Sequence, residues 1–106
     1  MSYKRGEVVL VNFPMPDLQL YKPRPALIVQ SDKNNARLKN LIFLQITSNL
    51  SKKFEETQYL IKLNSEEGKN SGLLTDSVIK AELIFTLPKT FVYWKLGSLP
   101  EIQCKK

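Results

Sequence analysis

The sequence predicts a mainly β protein, built either as an antiparallel sheet or as a small barrel. Three observations favour this fold class. Short runs rich in β-branched and aromatic residues recur at regular spacing, no helical pattern exceeds two turns, and the strand–helix alternation of a parallel sheet is missing. The glycine motifs of dinucleotide-binding and P-loop folds do not occur in the sequence, which excludes both folds.

The individual elements follow from the hydrophobic runs and from the turn residues between them. Pro14 and Pro16 end the first strand, and serine, asparagine and aspartate mark the turn after the second. In chain order we expect strands over residues 7–13, 26–30, 41–46, 59–63, 76–79, 83–86 and 90–95, a polar connection over 14–23, a helical turn over 36–39 and a loop over 64–72. The second and third strands are apolar on both faces, which indicates a central position in the sheet.

The composition is that of one globular domain over residues 1–106, with 42% hydrophobic and 25% charged residues. No apolar run approaches the roughly 18 residues that a membrane span needs. The N-terminal residues lack the apolar stretch of a signal peptide, so we expect a cytoplasmic protein. The single cysteine, Cys104, cannot form an internal disulfide.

Histidine is absent from the sequence. Its absence excludes His-based general acid–base catalysis, Ser-His and Cys-His nucleophile pairs, and nearly every catalytic zinc arrangement. Any chemistry must therefore rest on Arg, Lys, Asp, Glu, Ser, Thr or Tyr, and we expect neither a cofactor nor a metal ion.

The positive charge is concentrated in the first half of the chain. Residues 1–53 contain nine basic and three acidic residues, a net charge of +6, whereas residues 54–106 contain seven of each. A one-sided basic excess is typical of proteins that bind a phosphate backbone. A basic surface that serves only solubility is the alternative.

Five segments, spread over residues 4–99, occur in an order that is specific as a set. They are Lys4-Arg5-Gly6-Glu7-Val8-Val9-Leu10-Val11, Arg24-Pro25-Ala26-Leu27-Ile28-Val29-Gln30-Ser31-Asp32, Leu44-Gln45-Ile46-Thr47-Ser48, Gly72-Leu73-Leu74-Thr75-Asp76-Ser77-Val78-Ile79 and Leu96-Gly97-Ser98-Leu99. Together they resemble the MazF/PemK toxins of type II toxin-antitoxin systems, which belong to the Kid/CcdB-like superfamily.

The resemblance implies an SH3-like antiparallel β-barrel that forms a homodimer. It further implies a metal-independent endoribonuclease that cleaves single-stranded RNA by attack of a 2′-hydroxyl, leaving a 2′,3′-cyclic phosphate and a 5′-hydroxyl. A cognate antitoxin protein would neutralise it. Family members continue into a C-terminal helix, which residues 100–106 can form only in shortened form or not at all.

Two candidate catalytic residues, Arg24 and Thr47, match the family's motifs. Arg24 lies between two prolines, so its backbone is stiff, and a fixed guanidinium suits the developing charge of a phosphate transition state. Thr47 ends a buried strand, and its hydroxyl can donate to a phosphate oxygen. The alternatives are a solvated loop arginine and a threonine bonded to its own backbone.

Lys80 and Glu82 are the other two candidate catalytic residues. In a regular strand they share one face, where Glu82 would act as the base and Lys80 as the acid. An ordinary cross-strand ion pair is the alternative. Some family members have Arg and Asp here, and many have Gln and Arg at the positions of Leu83 and Phe85. These departures, and the lack of the histidine that other members carry in the first loop, affect proton transfer and base recognition.

The candidate RNA-binding residues are cationic, aromatic or amide side chains in the basic half, together with one hydroxyl: Lys4, Arg5, Gln19, Tyr21, Lys22 and Ser48. Tyr3, Tyr21 and Trp94 are candidates for stacking unpaired bases. Trp94 is expected in the core instead, because it lies in an apolar aromatic run.

A second interpretation of the chain is a non-catalytic barrel that binds RNA, an antitoxin or DNA gyrase. A homodimer is expected, and a monomer in which the loop over residues 51–57 covers the apolar patch is the alternative. The two strands that are apolar on both faces, or the loop after Thr47, would supply the dimer contact, since a small barrel has only one interior.

Overall fold

Six antiparallel strands form one sheet in the computed structural model, which describes residues 2–15, 20–48 and 58–99. The strands are β1 (Glu7–Met15), β2 (Leu20–Ile28), β3 (Asn40–Thr47), β4 (Gln58–Ile61), β5 (Ser77–Pro88) and β6 (Val92–Ser98), in the spatial order β4-β5-β3-β2-β1-β6. Two short helices, α1 (Asp32–Arg37) and α2 (Glu66–Ser71), and a 3-10 turn (Lys89–Phe91) connect them. The predicted mainly β fold class is confirmed, although β4 and β6 do not pair with each other within the described residues.

The strand β2 is longer than predicted. It begins at Leu20, inside the expected polar connection, because its first residues pair with β1 in a ladder from Met15↔Leu20 to Val8↔Leu27. Most side chains of this early stretch are exposed. The prediction relied on hydrophobic runs. This stretch of β2 has none, because most of its side chains are exposed and it is held in place by pairing with β1.

The strand β5 replaces two predicted short strands. Its pairing with β3 passes from Leu44↔Ile84 to Gln45↔Lys80, so three residues of β5 stand as a bulge where β3 advances by one. A bulge bends a strand without ending it. The expected break is therefore a bend within one element.

Both helices begin where a serine hydroxyl caps the first turn. Ser31 Oγ accepts a hydrogen bond from the backbone N–H of Asn34, and Ser65 Oγ accepts one from Gly68. The first helix thus starts four residues before the predicted helical turn, and the second occupies a predicted loop. Gly72 ends α2 in the left-handed conformation, at φ 77°.

The core consists of two clusters, which alternate along the strands and so cover opposite faces of the sheet. One contains Val8, Leu27, Ile46, Ile61, Ile79 and Leu99. The other contains Val9, Val11, Ala26, Ile28, Leu41, Phe43 and Val92. The central position of β2 and β3 is therefore confirmed. Most of their apolar residues are buried by the chain itself, so these two strands expose little of the contact surface that was expected of them.

The core prediction for Trp94 is wrong. The residue lies on the edge strand β6 opposite Leu10, and 62% of its surface is exposed. Tyr93 beside it is also exposed. Nothing in an aromatic run distinguishes an edge strand from a central one, because the difference depends on which strands pair.

The turn after α2 packs tightly on β6 through two glycines. A Cβ atom on Gly72 would lie 2.0 Å from the carbonyl oxygen of Leu96, and one on Gly97 would lie 2.1 Å from that of Asn70. Both distances are far below ordinary contact, so each position requires glycine. The segments Gly72-Leu73 and Leu96-Gly97 thus lie on the two sides of one close backbone contact.

Candidate functional site

The strands β2 and β3 separate where the chain carries two prolines. They pair only from Ala26↔Gln45 to Ile28↔Phe43, although β2 continues toward its N-terminus through Pro25 and Pro23. Proline has no backbone N–H and so cannot donate to a neighbouring strand. This part of β2 thus pairs with β1 only, and an opening is left on the side of β3.

A cleft of about 290 Å³ lies at this opening. One wall is formed by residues 23–25 of β2, a second by residues 46–48 at the end of β3, and a third by residues 72–75 after α2. Leu10, Ser77 and Leu96 complete the lining. Two hydrogen bonds hold the third wall: Asp76 Oδ1 accepts from the N–H of Leu63 at 2.6 Å, and Ser71 Oγ donates to the carbonyl of Gly68 at 2.8 Å.

Arg24 and Thr47 both line the cleft, from two different strands. The register Ala26↔Gln45, continued by two residues, sets Arg24 opposite Thr47, at the point where the strands separate. Arg24 is half-buried, and its side chain forms no ion pair or hydrogen bond with any other described residue. The guanidinium is therefore available to an anion in the cleft.

Gln45 and Lys80 extend the site along the sheet. Gln45 lies directly opposite Lys80, and strand alternation places both on the face that Arg24 and Thr47 share. Diagonal neighbours in such a ladder are about 7–8 Å apart, so Lys80 lies within side-chain reach of Thr47. Sequence reasoning missed Gln45, although its spacing of two from Thr47 is the signal that identifies it.

The predicted shared face of Lys80 and Glu82 depends on a regular strand, and β5 is irregular between Lys80 and Ile84. Glu82 falls in the bulge of β5, where the period of two is interrupted. Its Oε2 accepts a hydrogen bond of 2.9 Å from Gln58 Nε2, and Gln58 lies directly opposite Lys80. Lys80 and Glu82 form no ion pair with each other.

The predicted RNA-binding residues occupy several places. Ser48 lines the cleft, and Lys22 is an exposed residue of β2 two positions from Arg24. Tyr21 lines a separate cavity beside the cleft. Gln19 lies outside the described residues.

Lys4 and Arg5 lie at the far end of the β1–β2 ladder. The N–H of Gly6 donates a hydrogen bond to the carbonyl oxygen of Ile28, and the N–H of Arg5 donates one to Asp32 Oδ1 at 2.7 Å. Four strand residues separate this end from Arg24, a distance of about 13 Å. The structure therefore does not bring these two cations into the cleft.

An electrostatic cluster secures the N-terminal segment to β6. Lys95 Nζ lies 3.3 Å from Glu7 Oε2 and 5.4 Å from the centre of the Tyr3 ring. Burial, and secondarily the carboxylate of Glu7, raise the pKa of Tyr3 above its ordinary value. This cluster accounts for Glu7, the acid of the opening motif, as a structural residue.

Acidic side chains are missing from the described lining of the cleft. Within residues 2–15, 20–48 and 58–99, no three His, Cys, Asp or Glu side chains cluster as metal ligands do. The site is thus an open cleft with a cation and hydroxyls at its walls, an arrangement that suits an anionic ligand.

The family is decided by a match over nearly the whole chain. The model of the PemK-like, MazF-like toxins of type II toxin-antitoxin systems matches residues 4–106. The chain belongs to this family. The predicted family is therefore confirmed, while a comparison with curated proteins finds no match.

Solved structures share the fold of this PemK-like chain at low sequence identity. An endoribonuclease in complex with its cognate antitoxin from a mycobacterial species is 19% identical, with a TM-score of 0.75 over 98% of this chain and 85% of that one. The Mycobacterium tuberculosis toxin MazF-mt6 is 20% identical, with a TM-score of 0.72 over 93% and 85%. MazF from Deinococcus radiodurans is 19% identical, with a TM-score of 0.70 over 99% and 88%.

Among the described residues, no helix has the length and apolar character to cross a membrane. The shortened C-terminal helix would fall in residues 100–106, and the loop after Thr47 in residues 49–57, both outside the described part of the chain.

Proposed function

We propose that this chain is the toxin of a type II toxin-antitoxin system and acts as a metal-independent endoribonuclease on single-stranded RNA. One observation carries the proposal: a half-buried Arg24, without an acidic partner among the described residues, lies beside Thr47 in an open cleft. A phosphate would supply the missing negative charge. The family of the chain, and the endoribonucleases that share its fold, support the same activity.

In this proposal Arg24 binds the scissile phosphate. The attacking 2′-oxygen adds to phosphorus, and the negative charge on the non-bridging oxygens increases in the transition state. The planar guanidinium can donate two parallel hydrogen bonds to those oxygens and remains charged throughout. The Thr47 hydroxyl provides a further donor on the opposite wall, and Ser48 contacts the RNA backbone nearby.

Proton transfer is proposed for Glu82 and Lys80. The Glu82 carboxylate accepts the proton of the 2′-hydroxyl, while the hydrogen bond from Gln58 orients it. Lys80 donates a proton to the departing 5′-oxygen, which yields a 2′,3′-cyclic phosphate and a 5′-hydroxyl. This division of roles needs no histidine.

We also propose a cognate antitoxin as a partner and a homodimer as the assembled form. The proposal of an antitoxin partner is supported by a solved structure of similar fold, in which an endoribonuclease is bound to its cognate antitoxin. Exposed apolar residues in and next to the bulge of β5 and at the start of β2 are the candidate contact surface: Leu20, Leu83 and Ile84.

The function is tested by incubating the purified protein, without antitoxin, with a diverse pool of single-stranded RNA in EDTA. We expect cleavage at a short sequence motif, and an intact pool when the antitoxin is added beforehand. A pool that stays intact without the antitoxin would contradict the enzyme and favour the non-catalytic binding module.

The exposed cation Lys22 should contribute to RNA affinity without contributing to sequence preference. A phosphate contact carries no sequence information, so we expect Lys22→Ala to weaken all single-stranded RNAs alike. The slope of log affinity against log salt should fall by about 0.7, because the variant neutralises one phosphate fewer. Titrations at several salt concentrations measure this slope, with Lys33→Ala on α1 as the matched control. An unchanged slope would show that Lys22 is merely solvated.

A further inference from the structure

We infer that the second cavity, formed by Asn12, Tyr21, Thr90 and Phe91, binds one unpaired base of the RNA strand whose phosphate lies at Arg24. The cavity has a volume of about 330 Å³ and lies between the start of β2, β1 and the turn before β6. This inference rests on the proposed function and adds a base-binding subsite to it.

The aromatic residues of the cavity form a stacking surface that exists before the ligand binds. The Tyr21 and Phe91 rings meet edge to face, with centres 5.6 Å apart and an angle of 69° between the ring planes. The contact orients the Tyr21 ring while 59% of the residue remains exposed. A ring that is already held in place loses little conformational entropy when a base stacks on it.

The polar residues of the cavity are free to recognise a base edge. Asn12 and Thr90 are exposed, and neither side chain forms a hydrogen bond with another described residue. A carboxamide presents a donor and an acceptor side by side, which matches the edge of a base such as adenine. An apolar peptide side chain would leave these groups unpaired, so the lining favours a nucleobase.

The position of the cavity relative to Arg24 suits one continuous strand of RNA. Tyr21 precedes Arg24 by three residues of β2, a distance of about 10 Å. Strand alternation places Tyr21 on the face of Pro23 and Asn12 on the face of Leu10, and both Pro23 and Leu10 line the cleft, so the cavity adjoins the cleft along β1 and β2. Neither the cleft nor the cavity has an acidic residue in its described lining. A strand anchored by its phosphate at Arg24 can therefore place a neighbouring base on Tyr21.

The test uses two labelled six-unit strands that carry the same phosphates, one with bases and one abasic throughout. Both lack the 2′-hydroxyl, so they measure binding without the proposed cleavage. We expect Tyr21→Ala to weaken the base-bearing strand about 5- to 150-fold and to leave the abasic strand unchanged. Tyr21→Phe should retain the affinity. Asn12→Ala should reduce the difference in affinity between thymine, adenine, cytosine and guanine strands.

Tyr59→Ala is the matched control, since Tyr59 is an exposed tyrosine on β4, at the other edge of the sheet. The inference is overturned if Tyr21→Ala weakens both strands equally or neither. It is also overturned if the substitution weakens only the cognate antitoxin, which would make the cavity a protein-binding surface. Because the assay measures binding, loss of RNA cleavage would refute the proposed enzyme without deciding the subsite.

Discussion

Arg24→Ala should lower kcat for RNA cleavage about 100- to 1,000-fold, the typical effect of removing one preorganised donor to a developing charge. The guanidinium is half-buried between two prolines and has no acidic partner among the described residues, so its charge is available to the substrate. Arg24→Lys should recover part of the rate, because the charge remains but the planar pair of donors is removed. Single-turnover cleavage of a mapped substrate measures the effect.

Arg37→Ala is the matched control for this experiment. Arg37 is exposed on α1, and its Nη2 donates to Asn34 Oδ1 at 3.0 Å, so it belongs to the helix rather than to the cleft. We expect wild-type kcat for this variant. If Arg24→Ala cleaves as fast as Arg37→Ala, Arg24 has no catalytic role.

Gly97→Ala should lower the free energy of unfolding by about 1–3 kcal/mol, which is the usual range for overpacking a filled site. The new Cβ atom would lie 2.1 Å from the carbonyl oxygen of Asn70 and 2.4 Å from the carbonyl carbon of Ser71. Both neighbours are backbone atoms, so β6 and the end of α2 must move apart. Thermal unfolding should show a Tm lower by about 5–20 °C.

Ala36→Ser provides the comparison, because it adds one heavy atom at an exposed position on α1. Its free energy of unfolding should stay within about 0.5 kcal/mol of the wild type. An unchanged Tm for Gly97→Ala would mean that the close approach of α2 and β6 is not required for the fold.

The strands that could be predicted from the sequence are those whose side chains are buried on both faces. Residues 26–30 and 41–46 form hydrophobic runs, and the central strands lie there. The early part of β2 could not be predicted, because its exposed residues are held by pairing with β1 alone. Pairing across strands is a tertiary property that a local pattern does not contain.

The site was predictable to the extent that it depends on local backbone. Arg24 between its prolines and Thr47 at a strand end were candidate residues from the sequence, and both line the cleft. The position of Glu82 was not predictable, since the bulge in β5 exists only relative to β3. The core prediction for Trp94 failed for a related reason. Whether a strand lies at the edge of the sheet depends on which strands pair, and the local sequence does not contain that information.

We propose that this cleft cleaves RNA by attack of a 2′-hydroxyl. The most direct measurement is the cleavage of a mapped substrate in EDTA, compared with the same RNA carrying a single 2′-deoxy nucleotide immediately before the scissile phosphate. We expect a 2′,3′-cyclic phosphate and a 5′-hydroxyl from the first substrate and no cleavage at that site in the second. Cleavage of the deoxy substrate at the same site, or products with 5′-phosphate ends, would contradict this proposal.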